Sequence, residues 1–216
     1  ASGIVSKSVL PIASLAEHSK NGGCGYSAYG YLIRTQNGKT WLYLETMGEG
    51  DGKYLQIFEL MKNDLRLVTA DYLGIDPNQP FDPESFVLSK RFDILGTYEA
   101  YKKFHVEEDG IPKTEDLLWT IVSTYTDWKV ELTSSIDMGL SVREANTKRG
   151  SGQKETLPAG THFVLLKTDG EAYAEAMLDD GRICEFELEH PSEDEWEGRI
   201  NGVSISDCFE YVPYAG

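Results

Sequence analysis

The stretch YSAYGYLIRTQNGKTWLYLET, residues 26–46, decides the fold class of this chain. Two runs of alternating aromatic and aliphatic residues flank Asn37-Gly38, and Asn-Gly between such runs is the strongest short-range signal for a β-hairpin. In the second run, Trp41 and Tyr43 alternate with leucines, so both faces of the predicted strand are largely apolar. This pattern favours a central strand of an antiparallel sheet.

The hairpin continues into further predicted strands, whereas residues 1–25 look irregular. KYLQIFEL at 53–60 follows the turn sequence GEGDGK at 48–53, and LRLVTA at 65–70 follows a tight turn at 62–64. Four consecutive strands joined by short turns predict an antiparallel meander, the shape of one propeller blade or of half a small sheet. We therefore predict a mainly β chain whose residues 1–128 form an antiparallel sheet domain.

The net charge of the chain bears on which classes of molecule it binds. Of 216 residues, 36 are acidic and 20 basic, which gives a formal charge of −16. Residues 131–216 carry 18 acids against 7 bases, a net charge of −11, and the rest of the chain carries −5. A surface this acidic repels phosphate backbones, so we expect no nucleic-acid partner.

Hydropathy and the N-terminal sequence bear on location. No apolar run approaches the roughly 20 residues that a membrane-spanning helix needs. ASGIVSKSVLPIASLAEHSKNGG at 1–23 lacks the charged-then-apolar pattern of a signal peptide. We expect a secreted or cell-surface protein whose signal or lipid anchor, as in a lipoprotein, lies outside this sequence.

The last third of the chain resembles the bacterial SH3 domain family. The elements that carry the resemblance, in their order along the chain, are Ser141-Val142-Arg143, the turn Leu157-Pro158-Ala159-Gly160, the apolar run HFVLLKTD at 162–169 and the closing stretch 202–205. The resemblance implies a small SH3-like β-barrel over residues 129–216, with an acidic insertion, HPSEDEWEGR, before its last strands. Such barrels are typical additions to envelope proteins.

Aromatic residues provide the candidate binding side chains. Exposed rings on a rigid sheet can stack on sugars or peptides, although most rings on alternating strands belong to the core. Trp196 lies in an acidic loop, where an aromatic ring is hard to explain as core. The candidate binding residues are Tyr43, Tyr173, Trp196 and Tyr211.

Acidic residues provide the candidate cation ligands. The run CEFELE at 184–189 predicts a strand with Glu185 and Glu187 on one face, where neighbouring carboxylates repel each other. With Asp179 and Asp180 nearby, these four could hold Ca²⁺, although their spacing does not match an EF-hand loop. We expect no other cofactor.

Two cysteines of the last third allow two interpretations. Cys184 and Cys208 could form a disulfide between neighbouring strands in an oxidising compartment. Equally, both could be small buried apolar side chains. No Cys-x-x-Cys pair accompanies them, so the sequence does not predict a zinc site.

No catalytic motif stands out, and three functional hypotheses remain. The preferred one is a non-enzymatic envelope or secreted protein that binds a wall polymer or another protein. A glycan-acting hydrolase with paired carboxylates is the first alternative. The second is a scaffolding fragment of a larger modular protein.

Overall fold

The computed structural model describes residues 3–9, 27–47, 52–76, 81–121, 129–189 and 197–214. Antiparallel strands dominate these segments, which include one short helix, so the prediction of a mainly β chain is confirmed. In chain order, the elements are β1 Gly3–Val9, β2 Ser27–Arg34, β3 Thr40–Met47, β4 Lys53–Met61, β5 Asp64–Asp71, β6 Gly74–Ile75, β7 Phe86–Asp93, β8 Thr97–Val106, β9 Pro112–Lys113, β10 Trp119–Thr120, β11 Glu131–Thr133, β12 Met138–Arg143, β13 Gln153–Leu157, β14 His162–Thr168, β15 Tyr173–Leu178, β16 Ile183–Glu189, β17 Arg199–Ile200, β18 Val203–Ser204 and α1 Ile205–Cys208.

The chain divides into two compact units. Unit 1 comprises Ala1–Arg91 and Tyr101–Asp116, and unit 2 comprises Phe92–Ala100 and Leu117–Gly216. This division differs from the predicted domains 1–128 and 129–216, because strands β7 and β8 contribute residues to both units.

Unit 1 contains a five-stranded antiparallel sheet in the order β1-β2-β3-β4-β5. The predicted hairpin is present, with Leu32 opposite Leu42 and a turn in which Gly38 adopts a φ of +83°. Strands β2 to β5 form the predicted meander. The expectation of an irregular N-terminus was wrong for residues 3–9, since β1 pairs with β2.

Aromatic side chains fill one face of this sheet. The ring centroids of Tyr31 and Phe81 lie 4.6 Å apart, and those of Phe81 and Phe86 lie 4.7 Å apart. Trp41 is 2% exposed and lies against the backbone of Gly110, where an added Cβ would approach Trp41 Cδ2 to 2.1 Å. Tyr31, Trp41 and Tyr43 of the hairpin are therefore core.

Unit 2 is built on an antiparallel meander of β14, β15 and β16. Strand β11 pairs with β14, and β12 pairs with both β16 and β13. Ser134 forms an isolated antiparallel bridge with Phe209, which follows α1. No sheet of the described segments closes on itself, so the predicted small SH3-like barrel is not confirmed.

The core of unit 2 also centres on aromatic rings. Phe163, Phe186 and Phe209 pack edge to face, with centroid distances between 5.3 and 6.1 Å. All three are 2% exposed or less. Period-two alternation on β16 places Cys184 and Phe186 on this apolar side and leaves Glu185 on the opposite face of the sheet.

Candidate functional site

Buried charges mark the site, because an ionised group removed from water must be paired or hydrogen-bonded. In unit 2, the side chains of Arg143, Glu175 and Glu185 are 6–7% exposed. We refer to these three residues, together with Ser141 and Tyr173, as the Arg143 cluster. Its members come from three neighbouring strands.

Strand register brings the cluster together. Ser141 on β12 lies opposite Glu185 on β16, and Glu185 lies opposite Glu175 on β15. Arg143 and Tyr173 are each two positions from a member of this row, so they project from the same face. The adjacent positions on the other face, including Val142 and Cys184, are buried in the apolar core.

Arg143 binds both carboxylates at once. Its Nη2 lies 3.1 Å from Glu175 Oε1, and its Nε donates to Glu185 Oε1 at 3.1 Å. Its Nη1 donates to the carbonyl oxygens of Thr147 at 3.1 Å and Glu144 at 3.4 Å. The guanidinium thus links two strands to the loop that follows β12.

Glu185 receives further hydrogen bonds. The amide of Gly150 donates to its Oε1 at 2.9 Å, and the Ser141 hydroxyl donates to its Oε2 at 3.0 Å. Burial alone raises the pKa of Glu185. The bonds from Gly150, Ser141 and Arg143 outweigh burial and hold the pKa below its ordinary value. Glu185 is therefore an anionic anchor in the folded protein.

Tyr173, a predicted binding residue, is part of this buried cluster. Its hydroxyl donates to Glu175 Oε1 at 3.1 Å, and the guanidinium carbon of Arg149 lies 3.7 Å from the centroid of its ring. Burial, followed by the charges of Glu175 and Glu185, raises the pKa of Tyr173 well above its ordinary value. Tyr173 is only 8% exposed, so its ring is covered by the loop above it and supports that loop.

The loop over the cluster, residues 144–152, is fixed at several points. Thr147 and Gly150 bind cluster members, and Gly150 adopts a φ of +74°, a conformation that favours glycine. A Cβ on Gly152 would approach Ser141 Oγ to 2.3 Å. Residues 144–151 are nevertheless exposed, including Lys148 and Arg149. We call residues 144–152 the clamped loop.

The other predicted binding aromatics have different environments. Tyr43 is fully buried in unit 1 and donates its hydroxyl proton to the carbonyl of Gly110 at 2.6 Å. Burial, followed by the charge of Asp109, raises its pKa. Tyr211 is 70% exposed. Trp196 lies outside the described residues. Of the four predicted residues, Tyr211 alone is described with its ring in solvent.

The predicted cation ligands are engaged separately. Asp179 Oδ1 lies 2.8 Å from His162 Nδ1, and Asp180 accepts a bond from Arg182 Nε at 2.8 Å. Hydrogen bonds from the Arg182 amide and then its side chain lower the pKa of Asp180. Glu187 is exposed, whereas Glu185 binds Arg143. Over the described segments, no group of three or more His, Cys, Asp or Glu is arranged to hold a metal ion.

Both cysteines of unit 2 are free and buried. Cys184 Sγ donates to the carbonyl of Ala176 at 3.4 Å, and Cys208 Sγ donates to that of Val203 at 3.8 Å. Of the two interpretations of the sequence, the structure has two small buried side chains rather than a disulfide. Each thiol has its own acceptor in the packed interior.

The role of Arg143 was not predicted from the sequence. Arg143 was recognised only as part of a family motif, and its partner Glu185 lies 42 residues further along the chain. The available signal was its position two residues after Ser141, on the polar face of an alternating strand. That signal predicts the face but not the partners, since only pairing between β12 and β16 brings them together.

No protein-family model matches this chain, and no curated protein or solved structure matches it either. In the described part of the chain, no helix has the length and apolar character to cross a membrane.

Proposed function

We propose that this chain is a non-enzymatic binding protein of the bacterial cell envelope, secreted or surface-anchored, whose unit 2 recognises a wall polymer or a protein partner. One observation carries the proposal. The clamped loop exposes its side chains, while its backbone is fixed by the buried Arg143 cluster. A loop ordered before binding loses less conformational entropy when a ligand arrives.

We further propose that unit 2 is a small barrel of the SH3-like type. Strand pairing supports this, because β11 and β12 are consecutive segments of the chain and pair with opposite edges of the same meander. Strand β11 lies along β14, and β12 lies along β16. Between them, Ser134 bridges Phe209 near the C-terminus. This arrangement resembles a sheet bent so that its two edges approach each other.

The chemistry of the clamped loop suggests how it contributes to binding. Lys148 and Arg149 are adjacent and exposed in a chain of strongly negative formal charge. The guanidinium of Arg149 stacks on Tyr173, which limits its conformations and leaves its edge available for hydrogen bonds. Acidic or hydroxyl-rich groups of a partner are suitable acceptors for these donors.

The alternative of a glycan hydrolase receives less support. Such an enzyme needs one carboxyl group with a raised pKa to donate a proton and a second carboxylate across the scissile bond. Glu175 and Glu185 both bind Arg143, and the pKa of Glu185 is lowered. This pair is better suited to fixing a loop than to transferring a proton.

Co-sedimentation with insoluble Gram-positive cell walls, at low and high salt, tests the wall-polymer form of the proposal. We expect the wild-type chain to pellet at low salt and to pellet less at high salt, because salt screens the exposed cations Lys148 and Arg149. The double variant Lys148→Ala/Arg149→Ala should stay in the supernatant. The matched control Lys129→Ala/Lys167→Ala removes the same charge from exposed positions of unit 2 and should pellet as the wild type does.

Two results would count against this form of the proposal. If the wild type stays in the supernatant at both salt concentrations, it does not recognise the wall polymer. Photo-cross-linking from position 148 in intact cells would then test for a protein partner. If the loop variant pellets as well as the control, the clamped loop is not the binding surface.

A further inference from the structure

Strand β5 presents an apolar row at the edge of the sheet in unit 1. Of the six large hydrophobic side chains exposed in the described segments, four lie in or beside this strand. Their exposed fractions are Met61 45%, Leu65 40%, Leu67 51% and Tyr72 67%. No other described strand pairs with the outer edge of β5. Exposed edges of this kind are open to pairing with another strand.

A β-bulge interrupts the regular alternation of β5. Ile57 lies opposite Thr69 and Phe58 opposite Leu67, so Val68 is an extra residue on β5. Val68 packs, partly buried, against the main core of unit 1. The bulge therefore shifts every side chain beyond it to the opposite face.

This shift places Arg66 and Asp71 on the same face of the sheet. Arg66 lies opposite Glu59, and Asp71 lies opposite Leu55, which belongs to the same core face as Ile57. In a regular strand, residues an odd number of positions apart project from opposite faces. By the same shift Leu65, Leu67, Ala70 and Tyr72 share the other face.

A strand with regular alternation matches these faces on both sides of Val68 only by leaving Val68 without a partner residue, as β4 does. A second copy of β5 carries the same bulge, so its Thr69 can lie opposite Val68 and every residue from Arg66 to Asp71 has a partner. In an antiparallel pair related by a two-fold axis near the bulge, Arg66 of each copy lies opposite Asp71 of the other. On the opposite face, Leu67 lies opposite Ala70, and Leu65 lies opposite Tyr72.

We propose that two copies of this chain associate through antiparallel pairing of their β5 strands in this register. Charge complementarity selects the register. A shift by two residues in one direction sets Asp64 opposite Asp71, two like charges. A shift in the other direction sets Arg66 opposite Leu73 and Asp71 opposite Val68, so neither charge has an opposite-charge partner. A two-fold interface also requires self-complementarity, which β5 has on both faces.

The charged side chains remain accessible while they make contacts within the chain. Arg66 is paired with Glu59, and Lys90 Nζ lies 3.6 Å from Asp71 Oδ1. The side chains of Arg66 and Asp71 are nevertheless 60% and 52% exposed. Guanidinium and carboxylate groups both have several hydrogen-bonding positions, so each can serve a second partner. Because one strand pair buries a small area, we expect a concentration-dependent equilibrium.

Sedimentation equilibrium of the full chain and of two charge-reversal variants tests the proposal. The wild type should pass from a 24.1 kDa monomer to a dimer as concentration rises. Arg66→Asp alone sets Asp opposite Asp71, and Asp71→Arg alone sets Arg opposite Arg66. Each should weaken association by about tenfold or more. Mixing the two variants restores both opposite-charge pairs, so the mixture should form a heterodimer.

If the two variants associate when they are mixed, the weak association of each variant alone comes from lost pairing between β5 strands and not from a general loss of stability. Leu67→Lys gives a second variant at an exposed position, and it should also weaken association without unfolding the chain. Thermal unfolding of each variant supplies the folding control. A wild type that stays monomeric at all concentrations would overturn the proposal, as would a mixture no more associated than its components. The outcome is independent of wall binding by unit 2.

Discussion

Arg143 Nε donates to Glu185 Oε1 across 3.1 Å, and neither side chain is more than 7% exposed. The two residues sit on neighbouring strands, and the same carboxylate also binds the amide of Gly150. One buried ion pair therefore joins two strands to the clamped loop. We expect its removal to affect both the stability of unit 2 and the conformation of that loop.

Replacing Arg143 by Met should destabilise the chain by about 3–5 kcal/mol, because Glu175 and Glu185 would remain buried without a counter-charge. Chemical denaturation measures the free energy of unfolding. Arg182→Met is the control, since Arg182 forms ion pairs with Asp180 and Glu155 at the surface, and it should change stability little. Equal effects of the two variants would show that burial of the Arg143 pair is unimportant.

Acid should destabilise the chain partly through Glu185. The pKa of Glu185 in the folded protein lies below its unfolded value of about 4.3. Glu185 therefore makes its full contribution to the free energy of unfolding at pH values above that unfolded value. The contribution is lost as the pH falls through the folded pKa. Melting temperature measured from pH 7 to pH 2 should therefore fall less steeply for Glu185→Gln than for the wild type. The exposed Glu187→Gln should follow the wild-type curve.

The buried thiols of unit 2 should resist alkylation in the folded protein. Burial raises the pKa of Cys184 to about 12 and that of Cys208 to about 11, so few thiolates form at pH 8. In a Cys24→Ser background, thiol titration should detect almost no reaction in buffer and reaction of both cysteines in denaturant. If neither reacts in denaturant without a reductant, the two form a disulfide.

Gly110→Ala should destabilise unit 1 by about 2–5 kcal/mol, through a strained φ and overlap with Trp41. Gly110 adopts a φ of +75°, and its Cβ would lie 2.1 Å from Trp41 Cδ2. Gly38→Ala is the matched control, because Gly38 has a φ of +83° but no atom within 4 Å of its Cβ position. Urea unfolding should show a clearly smaller loss for this control. If both variants lose the same free energy of unfolding, the destabilisation comes from backbone strain alone and not from overlap with Trp41.

Local patterns along the chain were sufficient to predict strands β2 to β5 of unit 1, but not β1. Asn37-Gly38 between apolar runs indicates the hairpin, and the register of β2 and β3 follows from its tight turn. The bulge at Val68 had no comparable signal, because it depends on how β5 pairs with β4. Likewise, the alternation of CEFELE predicted the face of Glu185 but not its burial.

The sequence by itself therefore determined the β class, the central hairpin and the faces of strands with regular alternation, because side-chain alternation and turn chemistry act between near neighbours in the chain. Only the tertiary structure decided which acidic residues are buried and which remain in water. Glu185 and Glu187 have the same local pattern, yet the first pairs with Arg143 and the second is exposed. The difference arises from the pairing of β12 with β16 and from the loop packed over it, which are contacts between distant parts of the chain.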